Sequence, residues 1–511
     1  MSARGRRDCA IIMPVKNNQA LYAFTTTDVP TRGELYARGA YETRGGAYAV
    51  DTGKTLDLAT YFNAFSLKKW KCYTTIQTVT VRLSLTGTFD VVVVTLSQAG
   101  ETTLYQEENV TSIWQHTFPV DAIDEDILGI RLTAKTDGSV VLSGGYEGAF
   151  DTWRSQRMGA VICTYRREAF VKNLMDTLDH FAQTHDWLHV LVVDNGGTLP
   201  AGTSASGKTK TIHNRNYGGS GGFTRGMIEL VERGSEDSIL LMDDDIVLEP
   251  SAIERMHAML CGLREDYSES FFAGAMLAME KPTIQWENTA TWVFHAREEG
   301  HLWDLSQTQM LVKNENIRRT LDHYGAWWFC CIPVKRIREL GYPLPNFVKC
   351  DDVEYGVRNQ RPVLAMNGIG VWHMSFAEKM NHMTNYFVSR NSLIFSHYSS
   401  SCGFCHFVVE IVARCIKRGF VGHLQGLQTY LLALRDYATG YEGITAIGAD
   451  ERYAAVKREV AADASVSILW RLAKHMASAI KNYPKNRDRY RAFRDEKLRD
   501  ARFWKAYLGI Q

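Results

Sequence analysis

The stretch Ser238-Ile239-Leu240-Leu241-Met242-Asp243-Asp244-Asp245-Ile246 changes character at one peptide bond, where an apolar run ends and three carboxylates come in succession. A short apolar run cut off by acid reads as a strand buried on both faces, its carboxyl end emerging from the core. The neighbouring sequence repeats this grammar. Met158–Cys163 (MGAVIC) is an apolar strand, and Glu168 to Phe181 carries a helical pattern. Leu188–Val193 (LHVLVV) is another strand, stopping at Asp194-Asn195-Gly196-Gly197, and Thr224–Arg233 is a further helix. Strands alternating with helices imply a mostly parallel, Rossmann-like sheet. Ligands of such sheets sit at the carboxyl ends of the strands, where Thr164–Arg167, Asp194 and Asp243–Asp245 fall.

On the amino-terminal side the period becomes two. Val79, Val81, Leu83 and Leu85 alternate with Thr80, Arg82 and Ser84, and Val91–Val94 is apolar throughout. Ile127–Thr133 and Ser139–Ser143 flank Asp137-Gly138, a hairpin signal. Several short strands separated by turns predict a β-sandwich. From Ser400 onward helix signals dominate. The 511 residues therefore divide into an N-terminal β-sandwich domain (1–155), a parallel-sheet domain (156–400) and a C-terminal helical domain (401–511), an α/β protein as a whole.

Composition narrows the classes. With 45% hydrophobic and 23% charged residues the chain is globular, and a formal net charge of +1 gives no global pull toward nucleic acid. Charge is unevenly placed, with 12 Lys and Arg against 4 Asp and Glu from Arg471 to Gln511. That segment reads as a solvated helix pair or as a face meeting anionic lipid, where each cation adds ~1 kcal/mol. The basic start Met1–Asp8 lacks the apolar core of a secretory signal, and no run approaches the ~18 apolar residues of a transmembrane helix. Ten cysteines without an export signal are expected as thiols. Cys402-Gly403-Phe404-Cys405-His406 matches a c-type haem attachment pattern. Without export or a second C-x-x-C it reads as two buried thiols in a helical segment.

Asp243, Asp244 and Asp245 repel one another unless a cation compensates, and hard Mg²⁺ or Mn²⁺ bridging to a diphosphate does so; a solvated acidic turn is the alternative. If the extended geometry continues, Asp243 and Asp245 point one way and share a metal, leaving Asp244 for a ribose hydroxyl or sugar. Gly202–Thr209 (GTSASGKT) satisfies the P-loop pattern G-x-x-x-x-G-K-[ST]. A P-loop joins a strand directly to a helix, whereas Pro200 intervenes here and Lys210–Tyr217 reads as strand and turn, which argues against an NTPase. Asn216–Phe223 (NYGGSGGF) lets backbone approach closely ahead of a helix N-terminus, although most glycine-rich turns are only flexible. Phe347–Tyr355 (FVKCDDVEY) supplies a second acidic group, and Trp372-His373-Met374 comes some twenty residues later. His373, joined to two distant Asp, becomes a third protein ligand, since imidazole suits Mn²⁺. Trp327-Trp328 offers flat faces for sugar stacking, or two indoles for the core.

Taken in order, Ala160–Arg167, Asp194, Asn216–Phe223, Asp243–Asp245, Asp351–Tyr355 and Trp372–His373 resemble the bacterial galactofuranosyltransferases that polymerise galactan, of the GT2 class and GT-A fold. Tyr61–Phe65 and Trp70 resemble the β-sandwich of that family, and the likeness spans roughly residues 50 to 400. It implies an inverting, metal-dependent transfer of galactofuranose from UDP-galactofuranose to a glycan or lipid-linked glycan acceptor. Asp243, Asp245 and His373 would hold Mn²⁺ or Mg²⁺. Arg167, Asp194, Asn216 and Asp244 would contact the nucleotide or donor sugar. Asp352 would be the general base, with Asp351, Lys349, Glu287, Trp327 and Trp328 lining the donor–acceptor cleft. It also implies a homo-oligomer in the cytoplasm, peripheral to the inner face of the membrane. The sequence departs from the family where Tyr217 replaces a Leu, Arg166 stands where Asn is common, and Cys350 replaces a Trp. A P-loop NTPase built on Gly202–Thr209 and a non-catalytic carbohydrate-binding protein using the β domain alone are the two remaining alternatives.

Overall fold

A computed structural model describes residues 18–293, 295–374, 381–399, 402–461 and 467–510; the basic segment Met1–Asp8 lies outside them. The apolar runs form the seven-stranded sheet expected of them. In spatial order its strands are Gly202–Thr203, Thr209–His213, Leu188–Asp194, Met158–Thr164, Ser238–Asp243, Phe329–Pro333 and Phe272–Ala273. Thr209–His213, Leu188–Asp194, Met158–Thr164 and Ser238–Asp243 are parallel, and Phe329–Pro333 runs against Ser238–Asp243. The register sets Cys163 opposite Asp243 and Thr164 opposite Asp194, so these carboxyl ends share one rim.

Helix Glu168–Gln183 lays Val171, Leu174, Leu178 and Ala182 on the sheet, the i, i+3/i+4 stripe of an amphipathic helix. The next helix begins at Gly218 rather than at Thr224. Glycine costs ~1 kcal/mol against alanine in a helix, and packing overrides that cost here. A Cβ on Gly222 would meet Cys163 Sγ at 2.1 Å, and one on Gly226 would meet Val161 Cγ1 at 2.3 Å. The glycines are what let this helix lie directly on the strand.

The P-loop-like segment closes an antiparallel ladder, Gly202 opposite Thr211 and Thr203 opposite Lys210, and it leads into that strand rather than into a helix. Lys208 Nζ bonds Asp186 Oδ1 at 2.7 Å, so this lysine serves a surface ion pair.

In the N-terminal region nine strands form one hydrogen-bonded sheet. Strand Ile76–Ser97 runs through it, pairing along one edge with Gly100–Pro119. Its other edge pairs first with Ser139–Phe150 and then with Ile127–Ala134. The Asp137-Gly138 turn therefore does not close the expected hairpin. The strands on either side of it pair successively with Ile76–Ser97, and between those pairings Gly87 (φ +80°) leaves no room for a side chain against Ser139.

This region is bolted to the parallel-sheet region through buried polar contacts. Tyr36 Oη donates to Glu249 Oε2 (2.6 Å), Ser66 Oγ to Glu315 Oε1 (2.7 Å), and Arg255 Nη2 to the Phe62 carbonyl (2.5 Å). The C-terminal region is helical, led by Phe404–Ile444, which bends at His423 (φ 49°) and Gly440 (φ 68°). No helix among the described residues is long and apolar enough to cross a membrane.

Candidate active site

Two pieces of chain far apart in sequence meet at the rim of the sheet because a second, five-stranded sheet joins them. Just past the aspartates, Val247–Leu248 pairs antiparallel with Gly370–His373, Val247 opposite Trp372. That register delivers His373 to the carboxylates. Its Nε2 lies 3.6 Å from Asp243 Oδ2 and 3.1 Å from Asp245 Oδ1. One ligand atom from each of Asp243, Asp245 and His373 fits within 4.8 Å of the others, and they are the sole such metal-competent group among the described residues. His373 Nδ1 contacts the Met374 carbonyl at 2.6 Å, which directs Nε2 at the carboxylates. Burial works against charge on His373, yet hydrogen bonds to Asp243 and Asp245 lift its pKa to about 9. Cys402, Cys405 and His406 form no such cluster; Cys402 and Cys405 are free thiols, the first buried and the second exposed.

Asp244 turns the other way, accepting from Thr164 Oγ1 at 2.7 Å. Burial pushes its carboxyl up to about 6, against the Thr164 hydrogen bond and the nearby Arg167. Arg167 Nη1 spans Asp244 Oδ1 (3.1 Å) and Asp245 Oδ2 (2.8 Å). Arg166 beside it has φ 54°, the left-handed region that Asn tolerates better than Arg.

Asp194 is fully buried, and its oxygens accept the Gly196, Thr198 and Leu199 N–H groups at 2.6–2.8 Å. It shapes the loop, and the cleft wall is formed by Asn195 instead. Asn216 is in the wall, where its Oδ1 also accepts the Gly218 N–H at 3.1 Å.

The second acidic group opens helix Asp351–Arg358. The loop before it is strained, with positive φ at Phe347 (72°), Lys349 (69°) and Cys350 (63°). Such strain costs ~1–3 kcal/mol per residue and persists only where surroundings impose it. The glycine-rich helix is one such surrounding. Ser220 N–H bonds the Phe347 carbonyl at 3.1 Å, and Gly218 (φ +67°) passes so close that a Cβ would sit 2.0 Å from that oxygen. Ser220 Oγ then donates to the buried Asp351 Oδ2 at 2.7 Å. Asp352 Oδ1 accepts its neighbour's N–H, from Val353, at 2.8 Å. Burial first, and then the Asp351 charge, raise Asp352 to about 7.

Three cavities line up along the rim. One of about 420 Å³ is bounded by Arg167, Asn195, Asn216, Gly219, Asp243 and Asp244, with Asp450 and Tyr453 from the C-terminal region on the far wall. The next, about 290 Å³, holds Asp243, Asp245, His373, Trp328, Asp351 and Asp352 together. The third, about 550 Å³, shares Trp328, Lys349 and Asp352 with the second and extends past Glu287 to the long C-terminal helix. The two acidic groups thus occupy one pocket. Trp328 lies 6.3 Å from the His373 ring and is tied by Nε1 to the Gly274 carbonyl (3.1 Å). Trp327 packs edge-on against Phe223 and Tyr355. Burial, with the Glu298 and Asp352 charges, pushes Glu287 well above the usual carboxylate range.

Residues 156–385 match the family described as glycosyltransferase like family 2, and residues 14–146 match the galactofuranosyltransferase 2 N-terminal family. The family 2 region, the part of the chain similar to that first family, carries every site residue named from the sequence. Galactofuranosyltransferase GlfT2 of Mycobacterium tuberculosis is 29% identical over 388 residues, 70% of this chain and 60% of that protein. GlfT2 of Mycolicibacterium smegmatis is 29% identical over 374 residues, 66% of this chain and 57% of that protein. The matches thus span less than two thirds of either relative's length. Among solved structures, a mannosyltransferase from Pyrobaculum calidifontis in complex with GDP-Man and Mn²⁺ is 12% identical, covering 67% of this chain and 86% of that one, with a TM-score of 0.33.

Several cleft residues carry no signal that a reading of the sequence could use. Asn195 sits beside Asp194, and only burial separates the two. Asp450 and Tyr453 come from a helix remote in sequence. Glu410, Arg414 and Arg418 differ, for they recur at helical spacing inside an apolar helix, a pattern that could have marked a buried polar face.

Proposed function

We propose that the protein transfers galactofuranose from UDP-galactofuranose to a growing galactan or cell-surface glycan, with inversion and with a divalent metal, Mn²⁺ or Mg²⁺. The observation that carries this reading is the shared pocket of Asp243, Asp245 and His373 with Asp352. Two carboxylates and an imidazole oriented through its other nitrogen suit Mn²⁺ or Mg²⁺ chemically. Bound there, such an ion neutralises charge that develops on the departing diphosphate. Arg167 and Asn216 bind the nucleotide end, Asp244 orients the donor sugar or ribose, and Asp194 acts on the nucleotide through the loop it holds.

Asp352 is the general base. Its Oδ1 is engaged by the Val353 N–H, which leaves the other oxygen to take the proton of the attacking hydroxyl. Attack from the Asp352 side, with the diphosphate leaving toward Asp243 and Asp245, is in line and inverts the anomeric centre. Asp351 holds the helix start against Ser220. Lys349, Glu287, Trp327 and Trp328 shape the space where donor and acceptor meet.

The discriminating experiment offers UDP-galactofuranose and UDP-galactopyranose with a synthetic galactofuranosyl acceptor and reads products by mass. A ladder from the furanose donor alone is expected; equal use of the pyranose donor would refute the donor assignment.

We also propose the three-part division at 155 and 400, a homo-oligomer, and peripheral contact with an anionic membrane on its cytoplasmic side. An apolar stripe on the long helix supports the membrane contact, with Val409, Val412, Ile416 and Phe420 (81%) exposed along it, as does Trp470, 71% exposed on the helix Ile468–Lys481. Replacing Phe420 and Trp470 by Ser should release the protein from phosphatidylserine vesicles in sedimentation; unchanged binding would remove this face from the reading.

A further inference from the structure

The cavity of about 550 Å³ has two facing walls of different chemistry. One is built by the family 2 region, with Glu287 and Glu298 from its strands, Asp352 from its helix, and Trp286, Trp292 and Trp328 between them. The other is a single face of the helix Phe404–Ile444, carrying Glu410, Arg414, Lys417 and Arg418. On that face three cations meet one carboxylate. Arg414 takes it, with Nε and Nη2 each 2.8 Å from Glu410 Oε1.

Arg418 has no carboxylate partner among the described residues. It is 6% exposed, and its hydrogen bonds go to the neutral Ser389 Oγ (3.3 Å) and Asn385 Oδ1 (2.6 Å). Neutral partners can satisfy a buried guanidinium's N–H groups, as they do for Arg255, but Arg418 faces a cavity open to a ligand, and an anion there would offset its desolvation. Burial and the neighbouring Arg414 both work against its charge, lowering its pKa to about 10. Lys417, exposed at the cavity mouth, has no carboxylate partner among the described residues either. A ligand carrying its own negative charge would supply the counter-charge that this face lacks among the described residues.

We propose that Arg414, Lys417 and Arg418 form an anion subsite at the remote end of the acceptor cavity, taking a phosphoryl or carboxylate group carried by the acceptor while its sugar hydroxyl reaches Asp352. The three lie at i, i+3 and i+4 on one helical face, the spacing that presents side chains together. Guanidinium forks match oxyanion geometry bidentately. Between the two ends, Trp286, Trp292 and Trp328 supply faces for neutral sugar rings. The subsite rests on the acceptor reading of this cavity. It adds that a neutral oligosaccharide is an incomplete acceptor, and that the anionic end fixes which end of the chain grows.

The test uses the full chain and three galactofuranosyl disaccharides that differ at the reducing end: a neutral methyl glycoside, a phosphate monoester and a uronate. Their kcat/KM values are compared with UDP-galactofuranose and Mn²⁺ saturating. Direct binding of the phosphate and neutral forms is measured in parallel with UDP and Mn²⁺ filling the donor side, so that the readout survives if no transfer occurs. The charged forms should exceed the neutral one by about tenfold or more, the range of one hydrogen bond to a charged group. Arg418→Gln should collapse that ratio toward one. The surface variant Lys417→Gln should reduce it in part, and it serves if Arg418→Gln fails to fold. Preference for the phosphate over the uronate names the group as phosphoryl, and the reverse names it as carboxylate. Equal use and equal binding of neutral and charged forms by the unaltered protein would overturn the subsite. Charge-selective binding without any transfer would leave the subsite standing and refute the transferase reading.

Discussion

The two acidic groups of the cleft contain the same functional group and are held in opposite ways. Asp243–Asp245 end a strand and have basic side chains as partners: His373 within 3.6 Å, and Arg167 across Asp244 and Asp245. Asp351 and Asp352 begin a helix behind a strained loop, with a hydroxyl and backbone N–H groups as their close partners. Burial raises one carboxyl in each group, Asp244 to about 6 and Asp352 to about 7, but among the described residues only the first group has basic side chains as direct partners. Carboxylates that are buried with little compensation rise in pKa and become proton acceptors near neutrality. The proposed contrast between metal site and base is set by their neighbours, since the residues themselves are alike.

The largest effect should come from removing the base. Asp352→Asn is expected to lower kcat by roughly 10²- to 10⁴-fold while UDP binding persists; near-normal turnover would erase the contrast at once. The pH profile sharpens the same point. Asp352 must be ionised to take a proton and its pKa is raised to about 7, so kcat/KM should fall as pH drops through about 7. An acid limb near pH 4 would mean that burial does not tune this group.

On the gripping side, chelation should abolish transfer and Mn²⁺ restore it. His373→Ala should raise the Mn²⁺ concentration required by at least the ~10–100-fold that loss of a ligand's supporting partner costs. Full activity in chelator would leave the strand-end aspartates without their assigned task.

The smallest effect tests the link between the two groups. Gly218→Ala forces a Cβ toward the Phe347 carbonyl, at 2.0 Å before relaxation, in a backbone conformation with φ +67°. A loss of about 1–3 kcal/mol in denaturant unfolding is expected, together with a fall in kcat as the Phe347–Cys350 loop shifts. Unchanged stability and kcat would show that the two groups are positioned independently.

Much of the parallel-sheet region was legible in the amino-acid sequence. Its strand ends were visible because buried parallel strands are short apolar runs, and the residues just past each run must lie on the rim. The failure at Asp137-Gly138 is of another kind. A turn signal reports a change of direction, whereas the pairing partners were set by the long strand between them. At Gly222 and Gly226 propensity gave way to packing, since only glycine lets that helix rest on Cys163 and Val161. Asp194 and Asn195 exchange places because burial depends on the loop's backbone N–H groups, which composition does not reveal.

Local sequence by itself determined where strands and helices begin to alternate, which segments carry the carboxylates, and that Gly202–Thr209 lacks the helix a phosphate loop needs. Only the tertiary structure decided that Asp243, His373 and Asp352 share a pocket, that Asp450 and Tyr453 close one end of the cleft, and that Arg418 stands at the other without a carboxylate among the described residues. Local preferences act over a few residues, whereas these juxtapositions come from strand register and helix packing between segments more than a hundred residues apart in the chain.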